Sequence, residues 1–128
     1  MKRLPYLLPI TLLTAMLIFS LWNGHTMTEK TDMLQQQLHQ ADQLAAAGNW
    51  SAAAGMLAKS YRDWTACQTW FHIVTRHDAI DDAEAMYCRA AAFIKTEEIS
   101  EFRAETADLI SQLGLLAEME QCSIKNVL

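Results

Sequence analysis

The densest group of side chains able to do chemistry is His77, Asp78, Asp81 and Asp82. His77 and Asp81 stand four apart, so on a helix they share one face, a spacing that transition metals use. The same residues also make a helix start. Asp78 suits an N-cap, Asp81 three residues on gives an acidic capping box, and Asp82 with Glu84 places negative charge where the helix dipole favours it. We read the His77–Asp82 cluster as that helix start and expect neither a metal nor a cofactor there. Ser100, Ser111 and Ser123 have no nucleophile-elbow context, and no glycine-rich phosphate loop occurs. Cys67, Cys88 and Cys122 lack the C-x-x-C spacing of a metal or redox site. Being three, they leave at least one thiol unpaired or paired between chains; we read them as small hydrophobes partly buried among helices. His25 and His72 are isolated. No spacing announces catalysis, and the chain reads as non-enzymatic.

Trp50, Tyr61, Trp64 and Phe71 recur at helical spacing and read as core instead of a ligand cage. They lie on a stripe with Ala53, Ala54, Leu57, Cys67 and Val74, which predicts a helix from about Trp50 to Thr75. Trp70 falls off that stripe and is expected at the surface. Before it, Met27, Leu34, Leu38, Ala41, Leu44 and Ala45 mark another helix, ended at Ala47-Gly48-Asn49, where glycine can supply a left-handed cap. After it, Ile80, Ala83, Tyr87, Ala90 or Ala91, and Ile94 mark a third helix. Thr96 is expected to cap a fourth, whose inner face is Ile99, Phe102, Thr106, Leu109, Ile110, Leu113 and Leu116. From Met119 onward the periodicity is lost. No proline follows Pro9 and no alternating strand pattern occurs, so the expected class is all-α.

These helices follow an uncharged run of 19 residues, Leu4 to Trp22, directly behind Met1-Lys2-Arg3. Such a run can cross a bilayer as one helix of about 28 Å. It exceeds a secretory h-region, and its end, Phe19-Ser20-Leu21-Trp22-Asn23-Gly24, holds no small-x-small cleavage pair. We therefore expect an uncleaved single-pass anchor in the cell membrane. Lys2 and Arg3 keep the N-terminus cytoplasmic and the domain extracytoplasmic. Asn23-Gly24-His25 is a weak break, so anchor and first domain helix either separate there or form one rod. Beyond the anchor, 8 of the 10 basic residues face all 15 acidic ones. That balance excludes nucleic acid, whose phosphates need a basic face. The expected organisation is an anchor over residues 1–24, a small antiparallel bundle of about four helices over 25–118, and a tail over 119–128.

Two resemblances add to this reading. Gly48-Asn49-Trp50-Ser51-Ala52-Ala53 resembles the helix-turn-helix junction of a single tetratricopeptide unit, although the 34-residue period does not recur. Along the whole chain stand, in order, the basic-apolar start, Gly48-Asn49-Trp50 with Ala53, Trp64, His77-Asp78-x-Ile80-Asp81 with Glu84, and Glu101-Phe102. Leu115-Leu116, Met119-Glu120 and the ending Ser123-Ile124-Lys125-Asn126-Val127-Leu128 follow. In that order and spacing they resemble the domain of unknown function 4363, small membrane-anchored helical proteins chiefly of Firmicutes. The three cysteines and Gln121-Cys122 depart from the family pattern. The resemblance implies a small anchored helical domain without an established activity, serving beside a larger membrane protein. The expected function is thus membrane-tethered binding of a protein partner, through surplus apolar residues Trp70, Ile124, Val127 and Leu128. The alternative is an extracytoplasmic sensor or ligand-binding domain using the His77–Asp82 cluster.

Overall fold

The computed structural model describes the backbone of residues 4–74 and 76–127 and the side chains of 5–73 and 76–119. Four helices follow one another: α1 Leu4–Ala46, α2 Trp50–Val74, α3 His77–Lys95 and α4 Ile99–Val127. Helix α1 packs against α2 and α4, and α3 against α4 and α2, which makes a square antiparallel bundle.

The apolar stripes close on one another as the periodicity predicts. Met27, Leu34, Leu38 and Ala41 of α1 meet Ala53, Leu57, Trp64 and Phe71 of α2 in a single core. Ile80, Ala83, Tyr87 and Ala90 of α3 join them with Phe102, Leu109, Leu113 and Leu116 of α4. Two amides stitch the layers from side chain to backbone. Gln35 donates to the Ile110 carbonyl at 2.9 Å, and Gln112 to the Ala79 carbonyl at 3.1 Å.

Helix α1 is one rod of 43 residues, about 64 Å long. The glycine at 24 does not break it, because Asn23, Met27 and Thr31 on the same face are buried by the bundle. Packing outweighs the cost of about 1 kcal/mol that a helical glycine carries. Apart from the partly buried Ser20, the described side chains N-terminal to Asn23 are exposed along the rod. Its most apolar 18-residue window has a mean hydropathy of 1.7 and none of it is buried, so this segment is long and apolar enough to cross a membrane. Within it, Thr11 donates its hydroxyl to Leu7 and Leu8 carbonyls at 2.9 Å, and Thr14 to Ile10 at 2.8 Å. Their polar groups are thereby satisfied by the helix itself.

The α1–α2 and α3–α4 turns share one geometry. After α1, Gly48 has φ 82°, its N–H reaches the Ala45 carbonyl at 3.0 Å, and Asn49 N–H reaches Leu44 at 2.9 Å. After α3, Glu97 has φ 54°, its N–H reaches Ile94 at 3.2 Å, and Glu98 N–H reaches Phe93 at 3.0 Å. Both are Schellman caps. Only the first has the glycine that the left-handed residue favours. Thr96 therefore closes α3 instead of opening α4 as expected, with its hydroxyl back-bonded to Ala92. Replacing Glu97 by Gly removes a left-handed cost of about 1–2 kcal/mol and adds about 0.4–1 kcal/mol of unfolded-chain entropy. Glu97→Gly is thus expected to raise stability slightly, read as a higher urea midpoint in detergent micelles; a lower midpoint would contradict the strain.

Two other expectations change. The N-cap of α3 is Arg76, extended at φ −69° and ψ 136° and without a side-chain cap, so Asp78 lies in the first turn and acts on the helix dipole alone. Helix α4 also runs without interruption past residue 118 to Val127, where the loss of periodicity suggested a tail.

Candidate functional site

The most elaborate polar arrangement lies along the seam between α2 and α3. The α2 stripe is interrupted by Ser60, which falls between Leu57 and Trp64 on the same inner face and is fully buried. Its hydroxyl pairs with the Tyr87 hydroxyl at 2.8 Å. One turn away, Glu84 of α3 accepts three hydrogen bonds, from Trp64 Nε1 at 2.8 Å, Gln68 Nε2 at 2.8 Å and the Tyr61 hydroxyl. Trp64 stacks between Phe71, ring centres 5.1 Å apart, and Tyr87 at 5.9 Å. On the other side of α2, Gln37 donates to Asp63 at 2.7 Å. A carboxylate that accepts three hydrogen bonds from α2 ties the two helices together. The seam's polar groups therefore lock helices together.

The same network governs the tyrosines. Burial pushes the Tyr87 hydroxyl well above its ordinary range, against a lowering contribution from Ser60. The Tyr61 hydroxyl is raised chiefly by its hydrogen bond to Glu84 and then by desolvation. In the unfolded chain both ionise near pH 10. Above that pH the unfolded state binds fewer protons than the folded one, so stability falls as pH rises. Urea midpoints are expected to decline from pH 10 to 11, and less steeply in Tyr87→Phe; equal slopes would count against a protonated buried Tyr87.

Toward the α1–α2 turn the seam opens into a groove of about 400 Å³. Ala54 and Ala58 on one side and Ala91 on the other leave the space; Leu57, Ile94 and the exposed Cys88 border it. A second hollow of about 440 Å³ lies between α1 and α4, beside the Asp42–Arg103 ion pair at 3.0 Å. Thr106 borders it, with its hydroxyl oxygen buried and without a partner among the described residues.

The residues singled out by sequence are only partly brought together. The contact of His77 that the structure shows is with His72, Nδ1 to Nδ1 at 2.9 Å across the α2–α3 turn. Among the described residues no group of three or more His, Cys, Asp or Glu is placed to hold a metal. Trp70 is half-buried and packs on the core, with its indole N–H buried and unpartnered among the described residues. Its expected surface position is corrected: the α2 stripe is wide enough to include it. Tyr61, expected in the core, is 36 % exposed, because its hydroxyl reaches out to Glu84. Ile124, Val127 and Leu128 carry side chains outside the described residues. Cys67 is buried, with Lys30 Nζ 3.8 Å from its sulfur, and both Cys67 and Cys88 are free thiols; Cys122 lies outside the described side chains.

Sequence reasoning missed the Ser60–Tyr87 pair and the hub at Glu84. A signal existed for the first, since Ser60 sits three residues after Leu57 and four before Trp64, in the apolar register. Glu84 lies next to Ala83 and three before Tyr87, a flank position that the helix dipole by itself accounts for.

Comparison with curated proteins and with solved structures gives no match. Trp64 and Glu84, which stand far apart in the ordered motifs of the sequence, are joined here by a direct hydrogen bond. A family model described as a domain of unknown function, DUF4363, matches residues 21–127, the whole bundle and the last turn before it, and the chain belongs to that family.

Proposed function

We propose that this chain is a non-enzymatic, membrane-tethered module whose helical bundle stands outside the cytoplasm and binds a protein partner, as an accessory to a larger membrane protein. The carrying observation is the unbroken α1, exposed and apolar through Trp22 and with one face buried from Asn23 onward. A helix without a linker holds the bundle at a fixed height and limits its tilt, which suits a subunit set beside a membrane neighbour. Lys2 and Arg3 ahead of the apolar run favour the cytoplasm for the N-terminus. The alanine-lined groove between α2 and α3 offers a partner side chain an apolar recess that its own helices leave unfilled.

Cys88 supplies the topology test because it is exposed on α3. In intact cells carrying Cys67→Ala and Cys122→Ser, Cys88 should react with a membrane-impermeant maleimide. Reaction only after permeabilisation would put the bundle in the cytoplasm. For the partner, a photo-crosslinking residue at Ala58 should give one discrete adduct in native membranes, and Ala91→Trp, which fills the groove, should abolish it. An adduct indifferent to Ala91→Trp would remove the groove from the interface.

A further inference from the structure

We infer that the α2–α3 turn rests in the headgroup layer of the bilayer that α1 enters, with Ile73 inserted as an apolar contact. This rests on the reading of residues 4–22 as a membrane span. The junction between span and bundle has no spacer. Trp22 is exposed, while Asn23 one residue later is already buried in the bundle. The floor of the bundle therefore begins where the apolar run ends.

Register along the helices says what that floor is made of. Lys30 of α1 meets Cys67 of α2 at 3.8 Å, and Gln37 meets Asp63 at 2.7 Å. Carrying that antiparallel register down α2 brings Ile73 level with Gly24 to Met27 of α1. At 1.5 Å of rise per residue, this is about 3 to 8 Å above Trp22. The headgroup region on each side of the hydrocarbon is of the same depth, about 5 to 8 Å. The register between α1 and α4, set by Asp42 with Arg103 and Gln35 with Ile110, brings the end of α4 at Val127 level with Ile18, so the last turn of α4 lies alongside the last turn of the apolar run. The ends of α2 and α4 and the start of α3 thus lie near the level where the span ends.

The surface chemistry agrees with the height. Ile73 is 77 % exposed, and among the described residues outside the span it is the one large hydrophobic more than half exposed. A lone solvated isoleucine in the last turn of a helix is unremarkable on most surfaces, but this one lies at the level of the lipid. Beside it, Arg76 is exposed and extended, a cation placed where lipid phosphates lie. Asp78 stands about 3 Å above Arg76, and Asp81, Asp82 and Glu84 farther from the lipid, as α3 climbs from the turn.

The test uses the full chain with Cys67→Ala, Cys88→Ser and Cys122→Ser, carrying one added cysteine labelled with an environment-sensitive nitrobenzoxadiazole dye. The label sites are Ile73→Cys at the turn, Ser100→Cys at the far end of the bundle, and Leu13→Cys in the span. The chains are reconstituted in phosphatidylcholine–phosphatidylglycerol vesicles holding either a headgroup nitroxide lipid or a 12-doxyl lipid. The expected result is at least twofold quenching at position 73 by the headgroup nitroxide, none at 100, and strong quenching at 13 by the 12-doxyl lipid. If 13 is quenched while 73 behaves like 100, the bundle stands clear of the lipid and the inference is overturned, with the span intact. If 13 itself is unquenched, the span reading fails and the inference falls with it.

Discussion

Trp64→Ala is expected to unfold the bundle or leave it barely folded. Trp64 is fully buried, stacks on both Phe71 and Tyr87, and gives its indole N–H to Glu84. Truncation leaves a cavity where an aromatic stack stood, which costs about 3 to 5 kcal/mol. It also takes one of three donors from a half-buried carboxylate, adding a loss on the order of 1 kcal/mol. Small domains are stable by about 5 to 15 kcal/mol in all, so the variant should lie near or below the folding threshold. Urea titration followed by circular dichroism in detergent micelles measures the effect. Trp64→Phe, which keeps most of the stack and loses only the donor, should fall between the wild type and alanine. Trp70→Ala, truncating a half-buried ring, should cost less than Trp64→Ala. If Trp70→Ala proves the worse of the two, the assignment of the inner face of α2 is wrong.

Arginine at two central positions of the apolar run, Leu12→Arg with Leu13→Arg, should prevent membrane integration. Both side chains are exposed on the projecting part of α1 and have no bundle contact to lose. Each arginine at the centre of a span disfavours insertion by about 2.5 to 3.5 kcal/mol, so the pair opposes it by about 5 to 7 kcal/mol. The wild-type chain should stay with the membrane pellet after alkaline extraction and the variant should leave it. The bundle begins at Asn23, ten residues from the change, so its helicity should be preserved. Continued membrane retention of the double variant would mean that residues 4–22 are not what holds the chain there.

The apolar stripes were legible from sequence because an amphipathic helix needs a one-dimensional pattern to bury one face. Met27 to Ala45, Trp50 to Phe71, Ile80 to Ile94 and Phe102 to Leu116 follow that pattern, and the four helices pack along them. The capping residues were less legible. Thr96 and Asp78 are sound N-cap types one or two residues from the real ends, and at that distance composition does not decide which backbone N–H groups lie within reach. Glu97 in a left-handed conformation was invisible, because nothing local asks a glutamate to adopt it; the demand comes from the two helices that it joins.

What the sequence alone determined, then, is the class, the four helices, the family resemblance and the apolar run at the N-terminus. These depend on periodicity, length and hydropathy, which each segment carries by itself. Tertiary structure decided whether Gly24 breaks α1, that Glu84 gathers Tyr61, Trp64 and Gln68, that His77 meets His72, and that Trp70 is half-buried. Each depends on which faces of two separate helices come to one level. That is set by the register of packed side chains between helices, a quantity that no single segment contains.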